Sequence, residues 1–112
     1  MQVRLTTTGR QTGKERTVTL YAFETPTGAL VITGSRGGKA HDPRWALNLR
    51  DHPDATVKVG RVERAVKARE VSGKEREGLW TLVTGEFPLY ETYQRRTMRV
   101  IPLFVLEERA AT

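Results

Sequence analysis

The chain has 112 residues, 38% of them hydrophobic and 29% charged, which is the composition of a globular and not of a disordered chain and fits one domain over 1–112. Nineteen Lys and Arg against thirteen Asp and Glu give a net charge of +6, so an anionic partner is expected: a polyanionic small molecule, a nucleic acid or an acidic membrane surface. The lack of cysteine excludes disulfides, thiolate catalysis and cysteine-based metal sites; no apolar run is long enough to span a membrane and no signal-peptide core opens the chain, so a cytoplasmic location is expected.

Gln2–Thr8 alternates, with Val3 and Leu5 against Arg4 and Thr6, and predicts a first strand. Gly9 and Gly13 bracket a polar turn. Glu15–Glu24 predicts a second strand, with Val18, Leu20 and Ala22 on the face opposite Thr17, Thr19, Tyr21 and Phe23. Pro26-Thr27-Gly28 signals a turn and Ala29–Thr33 a short buried strand, completing a meander. Gly34-Ser35-Arg36-Gly37-Gly38 reads as a loop whose glycines suit a close approach of backbone to another group. Asp42 as N-cap and Pro43 as first helical residue predict a helix through about Arg50, with Trp45 and Leu49 inward and Pro53 as its stop.

Ala55–Gly60, with Ala55, Val57 and Val59 inward, and Glu63–Val71, with Val66 and Ala68 inward, predict a hairpin. Ser72 or Gly73 opens a second helical region in which Leu79, Leu82 and Val83 share a face; Phe87–Arg96 follows, with Tyr90 and Tyr93 three apart. Arg99–Glu107 predicts the last strand, with a bulge or an edge at Pro102. Trp80 reads as core, and His41 and His52 lack metal-ligand company, so no metal site is expected. The sum is a mainly β fold, a barrel of six mostly antiparallel strands whose open ends are plugged by helices inserted after the third and fifth strands. The basic clusters Arg10–Arg16, Arg36–Lys39 and Arg95–Arg99 read, on charge alone, as solvated surface.

Three ordered blocks say more. They are Leu5-Thr6-Thr7-Thr8-Gly9-Arg10-Gln11-Thr12-Gly13-Lys14-Glu15-Arg16; Gly34-Ser35-Arg36-Gly37-Gly38 with Pro43-Arg44-Trp45 and Asn48-Leu49; and Phe87-Pro88-Leu89-Tyr90 with Tyr93-Gln94, Arg99 and Ile101-Pro102. Together they resemble the deazaflavin-dependent nitroreductase family over nearly the whole chain. The resemblance implies a split β-barrel of the FMN-binding type. It implies binding of coenzyme F-420, whose reduced form gives a hydride to a quinone, a nitro-compound or a similar small-molecule acceptor. It also implies a cofactor site at Thr8, Arg10, Gln11, Thr12, Gly13, Lys14, Arg16, Ser35, Arg36, Gly37, Gly38, Trp45, Asn48 and Leu49, with Tyr93, Tyr90 and Ser35 on the catalytic side. Two features depart from the family pattern. Gln11 stands where Lys is common, with Lys14 placed to compensate, and only four residues precede Leu5 where relatives usually carry an extension.

The residues agree with that chemistry. The Thr8–Gly13 turn offers backbone N–H groups in a nest-like concavity, and Arg10 and Arg16 add charged donors suited to phosphate. The coenzyme's phosphate and oligoglutamate tail are anionic, and its deazaflavin carries the hydride chemistry, so the protein needs no acid–base triad. One alternative is the same fold using FMN. The other is a basic nucleic-acid module, which would alternate cations with exposed aromatics; only Tyr21 and Phe23 hint at that, so no nucleic-acid partner is expected. A homodimer is expected from related barrels.

Overall fold

The computed structural model describes residues 1–109; residues 110–112 lie outside the described part. Six strands close into an antiparallel barrel: β1 (Gln2–Thr8), β2 (Glu15–Glu24), β3 (Leu30–Thr33), β4 (Asp54–Val59), β5 (Val62–Glu70) and β6 (Leu103–Glu108), arranged β1-β2-β3-β6-β5-β4 with β4 returning to β1. A single 3-10 turn (Arg36–Gly38) and α1 (Arg44–Asp51) connect β3 to β4, while α2 (Gly73–Glu86) and α3 (Leu89–Arg95) connect β5 to β6. The alternation in β1 fixes its register: Val3 faces Leu20 and Leu5 faces Val18 on β2, and Leu5 faces Val57 on β4.

Two apolar layers hold the fold. The barrel interior contains Val3, Leu5, Ala22, Ile32, Val57 and Phe104, and α1 adds Trp45, Ala46 and Leu49 to it. A second layer lies outside the barrel, where Phe23, Val31 and Val105 are covered by Val83 of α2 and Tyr90 of α3. Each such side chain, fully buried, contributes about 1.5–3 kcal/mol of transfer free energy. β3 and β6 are therefore covered on both faces, which is why Leu30-Val31-Ile32 and Leu103-Phe104-Val105-Leu106 show no alternation.

Several expectations change. Phe23 lies on the face of β2 opposite Ala22, as expected, but it is no exposed aromatic: it is 3% exposed, because α2 and α3 roof that face. Only α1 packs into the barrel interior; α2 and α3 cover its outside instead of plugging an end. Asp42 does not cap α1: Pro43 occupies that position, and the Asp42 carboxylate pairs with Arg99 at 2.7 Å and Arg50 at 2.8 Å. The last strand starts at Leu103, after Pro102. The preceding segment is held by Gln94, whose amide nitrogen donates to the Arg99 carbonyl at 2.7 Å and whose oxygen accepts Ile101 N–H at 2.9 Å. Ala29 belongs to the turn before β3, donating its N–H to Thr25 Oγ1 at 3.1 Å.

Candidate active site

Two cavities meet at Trp45. The larger, about 580 Å³, is lined by Thr7, Gly9, Arg10, Gln11, Thr12, Arg16, Thr17, Val18, Arg44, Trp45 and Asn48. The smaller, about 270 Å³, is lined by Thr19, Leu20, Tyr21, Thr33, Ser35, Arg36, Pro43, Trp45 and Tyr90. Trp45 is at once wall and core, its ring edge-on to Phe104 at 5.8 Å.

The β1–β2 turn forms one side of the larger cavity. Gly9 N–H donates to the Lys14 carbonyl at 2.7 Å, Gly13 N–H to the Gly9 carbonyl at 2.8 Å, and Lys14 N–H to Thr12 Oγ1 at 3.2 Å. Arg10 N–H donates to Asn48 Oδ1 at 3.1 Å. The nest is thus smaller than the sequence suggests, since within Gly9–Gly13 only the N–H groups of Gln11 and Thr12 have no acceptor among the described residues. The side chains make up the difference. The guanidiniums of Arg10, Arg16 and Arg44 make no ion pair or hydrogen bond among the described residues. Those of Arg50, Arg69, Arg99 and Arg109 are each taken up by carboxylates or carbonyls. Three unspent forks on one cavity suit a phosphate or carboxylate ligand.

The smaller cavity has a different chemistry. The Ser35 hydroxyl has no partner among the described residues, and Tyr90 is buried with its ring edge-on to Phe23 at 6.0 Å. Burial pushes the Tyr90 phenol above its ordinary value of 10, while the Thr33 hydroxyl acts in the opposite sense. The phenol is therefore protonated at neutral pH. Arg36 is held at φ 48°, a left-handed conformation that costs a non-glycine residue roughly 1–2 kcal/mol. Arg99 secures it from both sides, donating to the carbonyls of Gly34, Ser35 and Lys39 at 3.0, 2.8 and 2.8 Å and pairing with Asp42.

Of the site residues expected from the sequence, Arg10, Gln11, Thr12, Arg16, Trp45 and Asn48 meet at the larger cavity, and Ser35, Arg36 and Tyr90 join Trp45 at the smaller. Thr8, Gly13, Lys14, Gly37, Gly38, Leu49 and Tyr93 line neither. Leu49 is in the barrel core. A Cβ on Gly38 would stand 2.6 Å from the Tyr93 carbonyl, so this glycine lets α3 settle on the 3-10 turn and does not make room for a ligand. Tyr93 packs behind Tyr90 at 6.2 Å, with Arg96 over its ring at 5.9 Å. Residues not singled out include Thr7, Thr17, Val18 and Arg44 at the larger cavity, and Thr19, Leu20, Tyr21, Thr33 and Pro43 at the smaller. Arg44 was readable, standing between Pro43 and Trp45 in the second block; the β2 residues were not, because both faces of that strand contribute at the cavity mouth.

The closed antiparallel barrel, with a cationic cavity joined to an aromatic one, has the architecture of a split-barrel oxidoreductase, the class that its relatives show. The chain belongs to the F420H(2)-dependent quinone reductase family, whose family model matches residues 1–108. It is 37% identical over 109 residues to an F420H(2)-dependent quinone reductase of Mycobacterium tuberculosis, covering 94% of this chain and 72% of that one. A solved structure described as an F420-H2 dependent reductase superposes with a TM-score of 0.85 at 37% identity, covering 95% of this chain and 93% of that one. Another, described as a domain-swapped dimer, gives the same TM-score and identity and covers 95% of this chain and 79% of its own. The donor set of the larger cavity, three free guanidiniums and two free N–H groups, fits the phosphate of coenzyme F-420.

Proposed function

We propose that the protein reduces a quinone or similar electrophile with coenzyme F-420 held across the two cavities. Arg10, Arg16 and Arg44 hold the anionic side chain of the coenzyme, and Trp45 gives the apolar surface at the junction toward the ring. Asn48 keeps the turn that carries Arg10 in place. The bound coenzyme supplies a hydride; the acceptor then needs a proton and hydrogen-bond donors at its oxygen. Ser35 Oγ offers a free hydroxyl, and Tyr90 Oη holds a proton throughout the neutral range, so both belong on the acceptor side. Tyr93 backs Tyr90 by packing.

The observation that carries this reading is the gathering of three unpaired guanidiniums, those of Arg10, Arg16 and Arg44, on one cavity. A cytoplasmic homodimer completes it: a domain-swapped relative supports the assembly, and sedimentation at several protein concentrations measures it. The activity is tested by following oxidation of the reduced coenzyme on addition of a soluble quinone. Turnover with reduced F-420 but not reduced FMN supports the reading, and turnover with reduced FMN alone overturns it.

A further inference from the structure

Gln94 stands in the third sequence block and lines neither cavity, yet its carboxamide is engaged at both ends. Its nitrogen donates to the Arg99 carbonyl at 2.7 Å and its oxygen accepts the N–H of the fully buried Ile101 at 2.9 Å. Arg99 in turn grips the loop that carries Ser35: its Nε donates to the Lys39 carbonyl at 2.8 Å, Nη1 to Gly34 at 3.0 Å and Nη2 to Ser35 at 2.8 Å. The Asp42 carboxylate holds this fork from the side at 2.7 Å. Gln94 also follows Tyr90 by four residues on α3, so the two lie on one face of that helix. One series of directional bonds thus runs from the helix that bears Tyr90, through the backbone and side chain of Arg99, to the backbone of Ser35. The close approach of Gly38 to the Tyr93 carbonyl limits how near α3 comes to the 3-10 turn but does not stop it from sliding. Hydrogen bonds, which weaken steeply when misaligned, do.

We infer that Gln94 is a positioning residue for the reduction: through Arg99 it sets the separation of Ser35 Oγ and Tyr90 Oη, so that both reach one acceptor oxygen. The inference rests on the placement of these two hydroxyls on the acceptor side. Ser35 and Tyr90 line the same cavity from separate elements, with no hydrogen bond between them among the described residues, so their spacing has to be fixed from outside the cavity. That spacing matters because donors stabilise a developing oxyanion only at about 2.7–3.1 Å from it. A misplacement of about 1 Å is enough to cost on the order of a hundredfold in rate.

The test is a double-mutant cycle at neutral pH on kcat/KM for a soluble quinone with reduced F-420, beside a coenzyme titration and a melting curve for each variant. Gln94→Ala removes both bonds. Gln94→Glu keeps an oxygen for the Ile101 N–H and lacks only the donor for the Arg99 carbonyl, so it separates positioning from folding. Each lowers kcat/KM by roughly ten- to a hundredfold with coenzyme affinity nearly unchanged. In the Ser35→Ala/Tyr90→Phe background, itself impaired, Gln94→Glu costs little more, because the hydroxyls it positions are gone. A merely structural residue costs the same factor in both backgrounds. Full efficiency in Gln94→Glu, or an equal loss in both backgrounds, overturns the positioning role and leaves the acceptor-side reading standing. Full efficiency in Ser35→Ala/Tyr90→Phe overturns that reading, and the positioning role with it.

Discussion

Asn48 on α1 accepts the backbone N–H of Arg10 at 3.1 Å through its side-chain oxygen and donates to Thr7 Oγ1 at 3.1 Å through its nitrogen. One buried carboxamide thus joins the helix beneath the cavity to the turn that carries its cations. Asn48→Ala leaves the Thr7 hydroxyl and the Arg10 N–H without these partners, at a cost of about 1–3 kcal/mol in stability. Because the turn is then free to shift, F-420 affinity falls as well. Urea denaturation and a coenzyme titration on the same variant measure both; unchanged binding in a destabilised variant would show that Asn48 only packs.

The arginines of the larger cavity differ in role from the lysine beside it. Arg16→Ala and Arg44→Ala each weaken F-420 binding by roughly ten- to a hundredfold, the size of one charge-assisted contact. Lys14, which lines neither cavity, gives a much smaller change on Lys14→Ala. Affinity also declines as salt rises, since charges at this exposed mouth are screened over about 10 Å at ~0.1 M. Titrations of the three variants at two ionic strengths decide the matter, and a Lys14 effect equal to that of Arg16 would contradict it.

Tyr90 has a pH signature. Its phenol is raised above 10 by burial, so the folded protein holds that proton more tightly than the unfolded chain does. The resulting stability is fully present below about pH 10 and is lost as pH rises through the raised value. Melting temperatures across this range should fall more steeply for the unaltered protein than for Tyr90→Phe. At neutral pH, Tyr90→Phe should lower turnover with a quinone more than Tyr93→Phe, with little change in coenzyme affinity for either. Equal losses from the two would place Tyr93 on the acceptor side too.

Much of the barrel was legible because β1, β2, β4 and β5 each bury one face, and alternation reports which residues share it. Alternation does not report whether the other face is covered. Phe23 lies on the expected face, opposite Ala22, but nothing local distinguishes it from Tyr21, which is 54% exposed on the same face, so its burial is not legible. Side-chain ties between distant segments were equally hidden. Asp42 looks like a cap from its neighbours, yet its partners are eight and fifty-seven residues away. The cations of the larger cavity were readable from the first and second blocks, which carry Arg10 in the turn, Arg16 at the start of β2 and Arg44 at the start of α1; Thr17 and Val18, further along β2, lie outside those blocks. The smaller cavity draws on β2, β3, α1 and α3, which no single stretch of sequence brings together.

The loop bearing Ser35 and Arg36 should depend on Arg99 and Gly38. Gly38 sits at φ 80° with the Tyr93 carbonyl in the space of a Cβ, so Gly38→Ala should destabilise the fold by a few kcal/mol, on the order of other strained-backbone substitutions. Arg99→Lys keeps the charge but not the planar fork that reaches Gly34, Ser35 and Asp42 together. It should raise the KM for the acceptor more than it weakens coenzyme binding. Steady-state kinetics beside a coenzyme titration separate the two effects, and a loss confined to coenzyme affinity would move the loop to the coenzyme side.

The most direct measurement is a parallel fluorescence titration of the unaltered protein and of Arg10→Gln/Arg16→Gln/Arg44→Gln with coenzyme F-420 and with FMN. The unaltered protein should bind F-420 at least tenfold more tightly than FMN, and the triple variant should lose most of its F-420 affinity while still melting cooperatively. Binding of FMN equal to or tighter than that of F-420, or F-420 affinity indifferent to all three arginines, would contradict a deazaflavin reductase that grips its coenzyme at the β1–β2 turn.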